Sequence, residues 1–256
     1  MPANFEVITS RSNPLIATVR KLEKDRAYRR ETGLFLCDSV KLCAEALRWG
    51  ARIHTAIFTE KQRPASLPEG VRAVQVPDSL MSAISPTKSP QGQLFLCKIP
   101  RHTLPETLEG RRYLILDGLQ DPGNVGTIWR TADALGADGL ILTHHCADPW
   151  SWKTLRASMG AAFRLPVWEA EPEEIASLLK RSSIPLYGTA LLEDTEDLRT
   201  YDGGKAAVVI GNEGQGISPE MLALCDRTWK IPMEEKCESL NAAIAAAVVL
   251  WELYRR

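Results

Sequence analysis

"RYLILDGLQDPGNVGTIWRTADALGADGLIL", Arg112 to Leu142, decides the fold. It opens with the apolar run "RYLILDGL", a predicted strand. Asn124 to Leu135 then places Val125, Ile128, Trp129, Ala132 and Leu135 at helical spacing, and "DGLILT" is a second apolar run. Short, continuously apolar strands joined through a helix predict a parallel sheet covered on both faces. "IPLYGTA" and "KAAVVIG" repeat the buried-strand pattern, and a last helix is predicted from about Ser239 to Tyr254. This half is an α/β domain.

Upstream the pattern is also α/β, in smaller pieces. Ser12-Asn13-Pro14 offers a cap and a first-turn proline, which predicts a helix to about Arg30. "GLFLCD" and "HTAIFT" flank the amphipathic "SVKLCAEALRWG", and Val71–Val76, the stretch after Pro77 and Gln93–Ile99 predict strand, helix and strand. "IPRHTLPETLEG", residues 99–110, carries two prolines and a glycine without apolar period and reads as a linker. The predicted division is therefore 1–98, linker 99–110, and 111–256.

With 45% hydrophobic and 25% charged residues among 256, the composition is that of a soluble protein. The N-terminus lacks the charged and apolar regions of a signal peptide. The longest uncharged stretch, Ser239–Trp251, is 13 residues and too short to span a bilayer. Six cysteines without a C-x-x-C pair suit a reducing cytoplasm. The net charge of −1 is unevenly spread: 16 Lys+Arg face 11 Asp+Glu up to Gly110, and 15 face 21 beyond it. Arg11, Arg20, Lys21, Lys24, Arg26, Arg29 and Arg30 fall within twenty residues, either as a solvated helix face or as a track for a phosphate backbone.

Three loops concentrate polar and backbone-permissive residues. "DPGNVGTIWR", Asp121 to Arg130, follows a strand and opens a helix. Asn124 suits a helix cap or a ligand contact, and Arg130 suits either a pair with Asp133 or a clamp on a phosphate. "GNEGQGIS", Gly211 to Ser218, has three glycines and a carboxylate, Glu213, but neither a phosphate-loop lysine nor the dinucleotide fingerprint. "IPMEEKCESLN", Ile231 to Asn241, leads into a helix apolar nearly all round, with Ser239 as a possible cap and Asn241 as a candidate ligand holder. That helix is either central to the domain or packed against another subunit. His144-His145-Cys146 reads as structural rather than as a zinc site, because adjacent strand residues face opposite ways.

Together the three segments resemble, in order and spacing, the signature motifs of the SpoU/TrmH family of RNA ribose 2′-O-methyltransferases. "ASMGAAFRLPV", Ala157 to Val167, is similar to the segment between the first two motifs. "ITSRSNPLIATVRKL", "GLFLCDSVKLCAEAL" and "SPQGQLFL" resemble the L30e-like RNA-binding domain of two-domain members. The resemblance implies an N-terminal L30e-like α/β domain followed by a SPOUT α/β domain with a C-terminal trefoil knot, and a homodimer. Asn124, Arg130, Glu213, Ser239 and Asn241 match the polar motif positions, with Arg130 at the catalytic arginine. Gly211, Ile231, Leu240 and Asn241 would hold S-adenosylmethionine, largely through backbone. Arg11, Arg20, Lys21, Lys24, Arg29 and Arg30 would meet RNA. Two departures stand out: the usual "FLVEG" is here Phe35-Leu36-Cys37-Asp38-Ser39, and Ala242-Ala243 replace Val-Ser after Asn241.

The implied reaction moves a methyl group from S-adenosylmethionine to a ribose 2′-hydroxyl of structured RNA, with rRNA favoured over tRNA. It requires no metal and no membrane. Two rivals are a non-catalytic RNA-binding protein of the same fold and an α/β enzyme using a nucleotide. The intact Asn124, Arg130, Glu213 and Asn241 argue against the first, and the missing nucleotide motifs against the second.

Overall fold

The computed structural model describes residues 5–100, 103–234, 236 and 239–255. They form two compact units: Met1–Pro100 with Trp150–Phe163, and Arg101–Pro149 with Arg164–Arg256. The first contains β1 (Glu6–Val7), α1 (Pro14–Lys24), α2 (Arg26–Thr32), β2 (Leu34–Asp38), α3 (Val40–Arg48), β3 (Ile53–Phe58), β4 (Arg72–Gln75), α4 (Asp78–Ile84) and β5 (Gln93–Lys98). Its sheet runs β1-β4-β3-β5-β2, with β5 antiparallel to both neighbours. Ile16, Val19 and Leu22 of α1 bury against Leu36, Ile57 and Leu94 of the strands.

The single helix predicted to Arg30 is two. Asp25 is extended at φ −111° and ψ 109°; its N–H ends α1 on the Lys21 carbonyl, and its carboxylate accepts from Tyr28 N at 3.0 Å to start α2. An aspartate that satisfies backbone donors itself competes with the helix it interrupts. The break changes one expected RNA contact. Arg29 is 5% exposed and donates to the Leu22 carbonyl at 2.5 Å, so it ties α2 to α1 instead of facing RNA. Arg11, Arg20, Lys21, Lys24 and Arg30 are exposed.

Ser39, where the resembling family has glycine, sits at φ 130°. That conformation is strained for a residue with a Cβ. Its hydroxyl accepts from Leu42 N at 3.2 Å as the cap of α3. Glycine caps nearly as well, so Ser39→Gly should stabilise the protein by roughly 1 kcal/mol. A thermal midpoint that falls would show that the hydroxyl outweighs the strain.

The second unit continues with β6 (Arg112–Leu116), α5 (Pro122–Ala134) and β7 (Gly139–Leu142). The chain then contributes α6 (Trp152–Ser158) to the first unit and returns for β8 (Val167–Glu169), α7 (Pro172–Arg181), β9 (Leu186–Thr189), β10 (Glu196–Asp197), β11 (Ala206–Ile210), α8 (Pro219–Ala223), β12 (Arg227–Lys230) and α9 (Ala242–Arg255). The seven strands are all parallel, in the order β10-β12-β9-β11-β6-β7-β8. From β6 the chain builds outward through β7 and β8, then crosses to build the other side. The crevice between the carboxyl ends of β6 and β11 is thus a topological switch point, where ligands bind in such sheets.

A contiguous division of the chain misses two things. Trp150–Phe163 joins the first unit because Phe35 is buried between the rings of Trp150 and Phe163, with centroids 5.1 and 6.4 Å away. The expected linker is partly core: Leu108 is buried in the second unit, and its N–H donates to Ser182 Oγ at 2.8 Å. Among the described residues no helix is long and apolar enough to cross a membrane.

Candidate active site

All three loops lie beyond the carboxyl ends of second-unit strands. At the first, Asp121 is the cap of α5, accepting from Gly123 N at 2.9 Å, and Pro122 fills the first turn. Asn124 is therefore released from capping. Its Nδ2 donates to Glu213 Oε1 at 2.8 Å across 89 residues, and its Oδ1 accepts from Asn241 Nδ2 at 3.3 Å across 117. Asn241, not Ser239, caps α9, because its Oδ1 accepts from Ala243 N at 2.9 Å and Ile244 N at 3.4 Å. That cap fixes the orientation of the relay. With Oδ1 of Asn241 committed to backbone donors, its Nδ2 must donate to Asn124, whose own Nδ2 then faces Glu213.

Burial opposes charge on Glu213, but the Asn124 amide and the backbone N–H groups of Glu213, Gln120 and Asp121 outweigh it. They hold its carboxyl below the usual glutamate range. A carboxylate depressed in this way stabilises the fold above its ordinary value, and that stabilisation fades as pH falls through the folded value. Asn124→Ala should raise the Glu213 pKa and shrink its share of acid destabilisation. Carboxyl-carbon NMR titration checks this, and an unchanged Glu213 midpoint would refute the linkage.

The second loop is closed by a residue that sequence reasoning passed over. Asn212 and Gly216 exchange backbone bonds of 2.8 and 3.0 Å, and Asn212 Oδ1 accepts from the N–H groups of Gly214 and Gln215. Its Nδ2 reaches the Gly118 carbonyl at 2.7 Å, while buried Asp117 accepts from Ser218 N at 2.7 Å. An Asn between two glycines after a strand signals such a side-chain-closed turn. Gly211 is required by close approach, since a Cβ there would lie 2.3 Å from Gly216 C and Ile217 N.

Ile231, Ser239 and Leu240 line one cavity of about 140 Å³ with Thr189, Leu191 and Trp229, between the ends of β9 and β12 and the start of α9. Glu235, Cys237 and Glu238 of the third segment lie outside the described residues. Ala242 and Ala243, which replace the familiar Val-Ser, are the first two residues of α9 and are both buried.

Arg130 is exposed on α5 and is not paired with Asp133. Asp133 is taken by Arg164, whose Nε and second guanidinium nitrogen approach its Oδ2 at 2.9 and 2.7 Å. Among the described residues Arg130 has no ion-pair partner. His144 pairs with Glu171 at 3.0 Å. Cys146 is buried and donates to the Leu116 carbonyl, and burial pushes its thiol up to about 11. Among the described residues no group of three or more His, Cys, Asp or Glu side chains has metal-holding geometry.

The second unit is thus a fully parallel sheet whose strand-end loops gather an Asn–Asn–Glu relay and an apolar cavity. Residues 111–251 match the model of the SpoU rRNA Methylase family, and residues 13–94 match the MRM3-like substrate binding domain. The chain belongs to the SpoU rRNA methylase family. It is 32% identical over 247 residues to the 23S rRNA (guanosine(2553)-2′-O)-methyltransferase RlmP of Bacillus subtilis, covering 96% of this chain and 98% of that one. It is 34% identical over 266 residues to the 23S rRNA (uridine(2479)-2′-O)-methyltransferase of Streptomyces viridochromogenes, covering 97% and 92%. The AdoMet-bound rRNA methyltransferase of Sinorhizobium meliloti superposes with a TM-score of 0.89 at 31% identity, covering 98% of each chain.

Proposed function

We propose that this protein transfers a methyl group from S-adenosylmethionine to a ribose 2′-hydroxyl of ribosomal RNA. The observation that carries the reading is the relay Glu213–Asn124–Asn241, which joins one residue from each motif. The cavity beside it fits the cofactor chemically: Leu191, Trp229, Ile231 and Leu240 offer apolar walls for a purine and an aliphatic chain, and Ser239 adds a hydroxyl. Gly211, Ile231, Leu240 and Asn241 would hold the cofactor, which supplies an electrophilic sulfonium methyl.

The chain's own contribution is positioning. Bringing a poor nucleophile into in-line attack geometry removes much of the barrier. A guanidinium is a donor without a free acceptor, so Arg130 orients a phosphate and stabilises charge rather than taking the hydroxyl proton. Glu213, ionised at neutral pH, holds Asn124, and Asn124 locks the first loop to α9. Exposed Arg11, Arg20, Lys21, Lys24 and Arg30 of the first unit supply the RNA's electrostatic track.

Mapping 2′-O-methyl riboses in cells with and without the gene tests the reading. One methylation should disappear from ribosomal RNA, and the two 23S relatives make the large-subunit RNA the first place to look. An unchanged rRNA pattern with a loss in tRNA would move the substrate to tRNA. A loss in neither would favour a non-catalytic binder.

The knotted C-terminus, cytoplasmic location and homodimer implied by the family belong to the same proposal. For the dimer, Ile244, Val248, Trp251 and Tyr254 present one exposed apolar face of α9, with Trp251 57% exposed. Trp251→Glu should convert a dimer to a monomer in sedimentation at micromolar concentration. A parent protein already monomeric there would refute the interface.

A further inference from the structure

Another cavity of the second unit is larger than the one proposed for the cofactor. It is a cleft of about 560 Å³ at the switch point of the sheet, floored by Asp117 and Thr143 at the ends of β6 and β7 and walled by the Asn212–Ser218 loop. Asp117 is 5% and Thr143 2% exposed, so both are fixed: Thr143 Oγ1 accepts from Gly118 N at 3.1 Å, and Asp117 accepts from Ser218 N. Gln120 and Gln215 also line it; Gln120 directly precedes the Asp121–Asn124 turn, and Gln215 lies two residues beyond Glu213 on the same closed loop. A ribose held at the Asn124–Glu213 relay therefore has its base within reach of this cleft.

The lining chemistry selects what enters. Glu171, Glu173 and Glu220, at the starts of α7 and α8, add carboxylates, and among the described residues His145 is the only basic side chain that lines the cleft. Their bland role is to complement the helix dipole. That role itself fills the helix starts with negative charge, so a phosphate is repelled. A neutral, donor-bearing group is preferred. Among nucleobases only guanine sets a ring N–H beside an exocyclic amino group, the pair that one carboxylate accepts in two-point fashion.

We propose that this cleft receives the base of the target nucleotide and favours guanine. The site rests on the methyltransferase reading for its role, but its selectivity is testable apart from it. Guanosine, adenosine, cytidine and uridine are titrated against the full-length protein by saturation-transfer NMR, with and without S-adenosylmethionine. Cofactor affinity is measured on the same samples by calorimetry.

Guanosine should bind at least five-fold tighter than the other three and persist when the cofactor is added. The Glu173→Gln/Glu220→Gln variant should lose that preference while keeping its cofactor affinity and a cooperative thermal transition, its midpoint falling only by what two helix-dipole charges supply. Equal binding of uridine or adenosine, displacement of guanosine by the cofactor, an unaltered preference in the variant, or no nucleoside binding by a cofactor-binding protein would each overturn the proposal. Guanosine binding that responds to the variant, in a protein that never binds the cofactor, would instead uphold the cleft and sink the methyltransferase reading.

Discussion

Arg130→Ala is expected to lower methyl transfer by about 100-fold or more, the scale seen when one preorganised electrostatic contact to a transition state is removed. Folding and cofactor affinity should hardly change, because the side chain is exposed on α5 and has no ion-pair partner among the described residues. Asp133 supplies the internal control. Its carboxylate is engaged by Arg164 at 2.7 Å, with both side chains largely covered. Asp133→Ala should thus lower stability by about 1–2 kcal/mol and leave turnover near normal. The two variants, assayed together on rRNA from cells lacking the gene, should therefore fail in opposite ways. Should Arg130→Ala keep more than about half the parental rate, the arginine is not part of the transfer machinery.

What the sequence disclosed depended on how local the physics was. β6, α5 and β7 are legible because their burial follows simple periodicity, and Val125, Ile128, Trp129 and Ala132 are all fully buried as that periodicity requires. The division of α1 from α2 was not legible. It turns on Asp25 leaving the helical region, and an aspartate looks the same in the middle of a basic helix as at a cap. The burial of Arg29 was not legible for the same reason, since its guanidinium donates back to the Leu22 carbonyl of α1 across the break at Asp25. The attachment of Trp150–Phe163 to the first unit rests on rings 115 and 128 residues from Phe35 in the chain, pairings no window of sequence contains. At the site, the motif residues were visible one by one. Their hydrogen-bonded order was not, because it depends on which residue caps α5 and which caps α9. Asp121 and Asn241 take those places and leave Asn124 free to bridge Glu213 and Asn241.

Gly211→Ala should have a large effect for a single added methyl group. The new Cβ would meet Gly216 C and Ile217 N at 2.3 Å and Gly216 O at 2.6 Å. All three are backbone atoms, so no side chain can turn aside and the loop itself must move. Motion there opens the Asn212–Gly216 bridge and with it the contacts from Asn212 to Gly118 and from Ser218 to Asp117. Overpacking of this kind destabilises by about 1–3 kcal/mol. The functional loss should be larger than the stability loss, because Glu213 rides on the displaced loop and its 2.8 Å bond to Asn124 holds the first motif in place. Cofactor affinity should fall by at least about 100-fold, close to 3 kcal/mol, and methyl transfer with it. Gly214 is the matched control three residues away. A Cβ there would find only Asn212 Oδ1, at an ordinary 3.7 Å, so Gly214→Ala should keep its midpoint and cofactor affinity. Calorimetric titration of both variants with S-adenosylmethionine decides the matter: parental affinity in Gly211→Ala would mean that the loop yields freely and does not form the cofactor's floor.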